Sequence, residues 1–197
     1  MFRIGITGGI GSGKTTACRI FELLGVPVYY ADTQAKQLMD TDRELKAALE
    51  ADFGKDIYEA GLLNRSKLSG LIFNNKTLLE KVNSMVHPAV ARDFSQWCEL
   101  QTAPYVMKET AILYESGLVS EFQKIILVTA PDSLRIERVC QRDAVDPQAV
   151  RVRMENQWTD EEKLALADFV IYNDNEHMMT PQVMKIHREL LEIIPAE

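Results

Sequence analysis

At 197 residues the chain is long enough for one substantial hydrophobic core with a small inserted lobe. Its composition is globular (46% apolar, 26% charged), without low-complexity tracts or repeats, and a net charge of −7 argues against a general nucleic-acid binder, which needs a basic surface. No apolar run approaches the roughly 20 residues of a membrane span, no signal-peptide pattern opens the chain, and Cys18, Cys98 and Cys140 are too scattered for a metal or disulfide framework, so a reduced, cytoplasmic protein without a membrane partner is expected.

The first element is a short apolar strand, FRIGIT (2–7), followed by a glycine-rich turn and the helical pattern KTTACRIFELLG, with Gly25 as its stop. Between strand and helix, Gly8, Gly13, Lys14 and Thr15 fill the fixed places of G-x-x-x-x-G-K-S/T, a phosphate-binding loop (P-loop). Glycines let successive N–H groups turn inward around phosphate oxygens, and the helix N-terminus adds partial positive charge. Lys14 is expected to reach the β- and γ-phosphates, with the Thr15 hydroxyl on Mg²⁺. VPVYYAD (26–32) reads as a second strand ending at Asp32. Helical patterns dominate from Thr33 to Gln101: one ends at Gly54, one is capped by Asn64, and one starts at Pro88. Strands are expected at 103–109, 124–130 and 168–173, the last ending at Asn173. Between them Asp132 is expected to cap a helix, Asp146-Pro147 to open another, and Thr159 with Glu162 to form a capping box. TPQVMKIHRELLEII closes the chain as a helix.

Alternating strands and helices predict an α/β fold, with a mostly parallel sheet between two helical layers. The long helical stretch after the second strand is too large for a simple crossover and reads as an inserted lobe. Ligands of such sheets bind beyond the C-terminal strand ends, where the P-loop, Asp32, Glu109 and Asn173 all fall.

The grip on phosphate leaves hydrolysis, switching or transfer open. A guanine-reading N-K-x-D segment is missing, since NNKTL (74–78) has the wrong last residue. Residues 135–153 hold five arginines against three acids, a local anion site in an acidic chain. Arg135, Arg138 and Arg142 share one helical face, beside an apolar face of Ile136, Val139 and Cys140 able to dock on the sheet. Guanidinium groups compensate phosphoryl charge once water is excluded, which suits a small-molecule kinase with a closing lid. Asp32 has two roles open to it: general base toward an acceptor hydroxyl, or helix N-cap. A solvated surface face is the other reading for Arg135 and Arg142.

These residues resemble the dephospho-coenzyme A kinase family over nearly the whole chain. The likeness rests on IGITGGIGSGKTT (4–16), YYADTQAKQL (29–38), GLLNRSKLSGLIF (61–73), VNSMVHPAV (82–90), AILYESGL (111–118), LRIERVCQRD (134–143) and ADFVIYN (167–173). It implies transfer of the ATP γ-phosphate to the ribose 3′-hydroxyl of dephospho-coenzyme A, the last step of coenzyme A synthesis. Other P-loop kinases of nucleotide or shikimate type, and a nucleotide-gated switch, are the alternatives.

The implied fold is a P-loop NTPase core with a five-stranded sheet (1–32, 103–137, 164–197), a helical acceptor lobe (33–102) and a helical lid (138–163). The implied catalytic residues are Lys14, Asp32 and Arg142. ATP and Mg²⁺ are the expected cofactors, with Gly9, Ile10, Gly11, Ser12, Gly13, Lys14, Thr15, Thr16, Arg138, Arg142 and Asn173 around the nucleotide and Thr15 on the metal. Acceptor contacts are expected from Thr7, Asp32, Lys36, Arg65, His87 and Glu115, in a monomer or weak homo-oligomer. Two departures stand out: Lys36 replaces an arginine, losing its bidentate fork, and Ala111 replaces a proline. His87 and Glu115 also have structural readings, as a packing histidine and a helix-start acid.

Overall fold

The computed structural model describes residues 1–73 and 75–194; Asn74 of the NNKTL segment and residues 195–197 of the assigned core lie outside the described residues. The chain divides into two units, Met1–Tyr30 together with Gln101–Glu197, and Ala31–Leu100.

In the first unit, β1 (Phe2–Thr7) leads through the glycine-rich loop into α1 (Lys14–Leu23), and β2 (Val28–Tyr30) follows. The second unit holds α2 (Ala31–Thr41), α3 (Arg43–Phe53), the hairpin strands β3 (Tyr58–Glu59) and β4 (Leu62–Leu63), α4 (Arg65–Ile72) and α5 (Lys76–Glu99). The chain then returns to the first unit as β5 (Tyr105–Glu109), β6 (Lys124–Thr129), α6 (Asp132–Asp143), α7 (Pro147–Glu155), α8 (Asp160–Leu164), β7 (Phe169–Tyr172) and α9 (Met179–Ile193).

The five long-range strands pair in the order β2-β5-β1-β6-β7, every neighbour parallel. Strand alternation sorts residues between faces. Ile4, Ile6, Met107, Ile126, Val128 and Ile171 pack against Ala17, Cys18 and Phe21 of α1 and Val183, Ile186 and Leu190 of α9. Gly5 points the other way, where any side chain would run into Leu113 and Phe122. Cys18 and Cys98 are buried, Cys140 is half-buried, and no disulfide joins them among the described residues.

One buried polar contact links the sheet to α9. The Tyr105 hydroxyl lies 2.6 Å from His187 Nδ1, and burial raises the phenol and lowers the imidazole pKa. Tyr105 therefore donates to a neutral ring. Because the folded-state pKa of His187 is below its ordinary 6.5, its contribution is complete above that value and is lost as pH falls through the folded value. The melting temperature of the parent chain relative to His187→Gln is expected to decline between about pH 8 and about pH 5. A difference independent of pH would contradict this.

In the second unit α2, α3 and α4 each pack on α5, which buries Val82, Val86, Ala89, Val90, Phe94 and Cys98. Asn64 caps α4 as predicted, its side chain accepting from Lys67 N at 2.9 Å. Pro88 does not start a helix but lies inside α5, which begins at Lys76 behind an Asn75 cap. Proline removes one helical donor and crowds the carbonyl four residues back; here the buried stripe that runs through it carries the helix onward. The β3–β4 hairpin was not foreseen. Its two-residue strands are too short to show alternation.

Three other expectations are corrected in the first unit and at the junction. The second strand ends at Tyr30, so Asp32 is neither a strand-end residue nor an N-cap but lies in the first turn of α2. Asp132 is likewise inside α6, whose N-cap is Pro131, and turns its carboxylate to Arg135. Ile136 and Val139 dock not on the sheet but on Val150 of α7, with Ile10, Cys140, Val145 and Met154 around them. Asp146 and the Thr159–Glu162 box cap their helices as read from sequence.

Candidate active site

The glycine-rich turn places successive amides at the head of α1. Gly13 is the N-cap in left-handed conformation (φ 96°), where a side chain would be strained and would strike Asn173. Asn173, at the end of β7, donates from Nδ2 to Ser12 O at 2.8 Å, so the last strand braces the loop from one side. Amides in the first turn of an α-helix lack an intrahelical carbonyl partner and face an anion readily. Thr15 and Thr16 are exposed on that turn, leaving the Thr15 hydroxyl accessible to a cation. The buried Thr7 and Ser12 hydroxyls find no hydrogen-bond partner among the described residues, so the loop carries polar groups in excess of what these satisfy.

Lys14 is only 9% exposed and folds back along the loop, donating to Gly8 O at 2.8 Å. Its Nζ lies 4.0 Å from Glu109 Oε1, which sits at the end of β5 and is itself buried. A buried ammonium held on a loop carbonyl, with a carboxylate at that distance, is well prepared to exchange its partners for phosphate oxygens.

Arg138 and Asn173 come together: Arg138 Nη2 donates to Asn173 O and Asn175 Oδ1, each at 3.0 Å, and its buried Nη1 has no hydrogen-bond partner among the described residues. Arg142 diverges from Arg138. Its guanidinium bonds both oxygens of Asp143, at 2.7 and 3.0 Å, and its side chain is 64% exposed. That hydrogen bonding holds the Asp143 carboxyl below its usual range. An exposed pair of this kind contributes little and is cheaply broken. Arg135 overturns the solvated-face reading: it is 4% exposed and donates to Ile10 O at 3.0 Å, Asp132 at 3.0 Å and Asp160 at 3.1 Å. The three arginines thus have three different surroundings.

Glu115 is tied into the chain: its Oε1 accepts from Trp158 N at 2.9 Å and pairs with the fully buried Lys163 at 3.0 Å. Its other oxygen is buried without a hydrogen-bond partner among the described residues. Trp158 stacks on Tyr114, and Trp97 on Phe94. In the second unit Arg65 Nη2 reaches Asp40 at 2.5 Å and Lys36 O at 3.0 Å, so two of the expected acceptor residues meet there. Burial raises the Asp40 carboxyl, but the Leu63 N–H and Arg65 more than offset this and hold it below its ordinary value. Asp32 is exposed on α2 and His87 half-buried on α5.

Sequence reasoning missed Gln157 and Asp160; it put Glu109 at the strand-end crevice and Arg135 on the arginine face but gave neither a role of its own. Gln157 and Asp160 are polar residues in a surface-like stretch, and nothing in their spacing shows what they touch. A cavity of about 670 Å³ opens beside Arg135, but Asp132, Glu155, Asp160, Glu161 and Asp174 line it. No residue of the glycine-rich loop lines it, and its acidity makes it a poor place for phosphate.

The known proteins that this chain is similar to point to one family. The model of the dephospho-CoA kinase family matches residues 2–178. Dephospho-CoA kinase of Porphyromonas gingivalis is 42% identical over 94% of this chain and 93% of its own length, and that of Bacteroides fragilis 38% identical over 93% and 90%. Among solved structures, a Thermus thermophilus protein superposes with TM-score 0.83 at 28% identity, covering 99% of this chain and 98% of its own. Dephospho-CoA kinase of Campylobacter jejuni gives 0.71 at 27%, covering 96% and 97%. A shikimate kinase of Bacteroides thetaiotaomicron, 15% identical with TM-score 0.50 over 98% and 99%, shares the fold alone. The chain belongs to the dephospho-CoA kinase family.

Proposed function

We propose that the chain transfers the γ-phosphate of ATP to the ribose 3′-hydroxyl of dephospho-coenzyme A, giving coenzyme A and ADP, with the residue roles that follow. The observation that carries the reading is the buried Lys14, folded onto the P-loop of a chain that matches this family from residue 2 to 178.

Lys14 leaves Gly8 O for the β- and γ-phosphates, and the amides of the loop and first turn hold the remaining oxygens. Gly9 to Thr16 form that cradle, with Arg138 and Asn173 toward the base. The exposed Thr15 hydroxyl suits Mg²⁺, which keeps most of its shell from water and phosphate and needs no protein cage. When bound, Mg²⁺ neutralises charge on the transferring phosphoryl group. Asp32 accepts the proton of the acceptor hydroxyl. Arg142 exchanges Asp143 for phosphate as the lid segment 138–163 closes, which lowers access of water. Thr7, Lys36, Arg65, His87 and Glu115 serve acceptor binding, within a 33–102 lobe apart from Thr7 and Glu115.

No described helix is long and apolar enough to cross a membrane. The proposed enzyme is cytoplasmic and acts on a small molecule as a monomer or weak homo-oligomer, and the net charge of −7 supports a role without nucleic acid.

The test is a panel assay: purified chain with ATP, Mg²⁺ and, separately, dephospho-coenzyme A, AMP, shikimate or a nucleoside. Phosphate is expected on dephospho-coenzyme A alone. Phosphorylation of another acceptor in its place, or slow hydrolysis without any acceptor, would sink the proposal.

A further inference from the structure

We infer that Arg135 and Gln157 are positioning residues that hold the P-loop in its binding shape by gripping both polar groups of one residue, Ile10. The Ile10 N–H donates to Gln157 Oε1 at 2.9 Å, and the Ile10 carbonyl accepts from Arg135 Nε at 3.0 Å. Each partner comes from more than a hundred residues away in sequence, one on α6 and one just before α8.

Both grips are fixed. Arg135 is held by Asp132 and Asp160, and Asp160 in turn accepts from the Thr129 hydroxyl at the end of β6. The loop rests directly on this arginine: a side chain at Gly9 would collide with its guanidinium, and one at Gly11 with its backbone. Gln157 precedes Trp158, whose N–H is bonded to Glu115 and whose ring stacks on Tyr114. The strut on the N–H side is therefore tied to the core on both counts.

The physical consequence concerns the free loop. Four glycines within Gly8–Gly13 give this segment wide conformational freedom, and ordering it on binding would weaken nucleotide affinity. A clamp on Ile10 orders the loop beforehand. It also engages the Ile10 N–H, as Gly9 O engages that of Ser12 at 3.1 Å, so the amides of Gly11, Gly13 and Thr15 are the ones left to turn to phosphate. Arg135 is not itself a phosphate ligand, because its guanidinium is turned to a carbonyl and two carboxylates.

The inference rests on the nucleotide reading above, and titration of the parent chain with MgADP tests that reading on its own. Gln157→Met keeps the length of the side chain and removes the acceptor. It is expected to weaken MgADP about 10-fold and to raise KM for ATP equally, with KM for dephospho-coenzyme A within about twofold. Hydrogen exchange in residues 4–13 of the free variant should quicken, with α9 unchanged, and MgADP should suppress the difference. Arg135→Lys, which keeps a charge for Asp160 but cannot bridge to Ile10 as well, should show the same pattern. MgADP affinity within about twofold of the parent in both variants would overturn the clamp. So would faster exchange spread equally through α9, which marks general destabilisation. A parent chain that does not bind MgADP would remove the nucleotide reading and the clamp together.

Discussion

Turnover of Asp32→Asn is expected to fall at least ~10²-fold while MgATP and MgADP still bind, as for loss of a general base. The amide matches the carboxylate in size and cannot take a proton from the acceptor hydroxyl. The side chain is exposed in the first turn of α2 and makes no hydrogen bond or ion pair among the described residues, so the change should leave the melting temperature nearly unaltered. Loss of rate with intact nucleotide affinity and stability therefore isolates chemistry. Near-normal turnover would reduce Asp32 to an acid at a helix start, useful there only for its charge.

Lys14→Ala should be the more damaging change, weakening MgADP at least ~10-fold and lowering kcat by about 10²–10³-fold. The lysine is expected to act on both the bound nucleotide and the transition state, so affinity and rate fall together. Its removal also takes a cation from beside the buried Glu109, and some thermal stability should go with it. Circular dichroism with rates measured per folded molecule separates the two effects. A variant that folds and keeps its rate would contradict the cradle.

Much of the fold was legible because its signals are local. The strand–loop–helix around Lys14, the Asn64 and Asp146 caps and the Thr159–Glu162 box each depend on a few adjacent residues. Pro88 misled for the same reason: proline is a helix-start signal locally, and only the packing of α5 keeps the helix going through it. The candidate site was legible to a similar depth. Gly8–Thr15, Arg138 and Asn173 meet around one loop, the last two through a single hydrogen bond. Arg135 could not be told from Arg142 by spacing. One is buried against Ile10 and two aspartates and the other is exposed beside Asp143, and that difference arises only from tertiary packing.

The order of the sheet has a consequence for synthesis. β1 is flanked by β5 and β6, so Phe2 finds its partner Tyr105 only after the whole of Ala31–Leu100 has been made. Through that interval the nascent amino end carries an unpaired, apolar strand with a glycine-rich tail, the kind of segment that invites wrong pairing. The helices of Ala31–Leu100 contact one another within that one continuous segment and can fold as it leaves the ribosome. A pause or truncation before β5 is thus the point in the life of this chain at which aggregation is most to be feared.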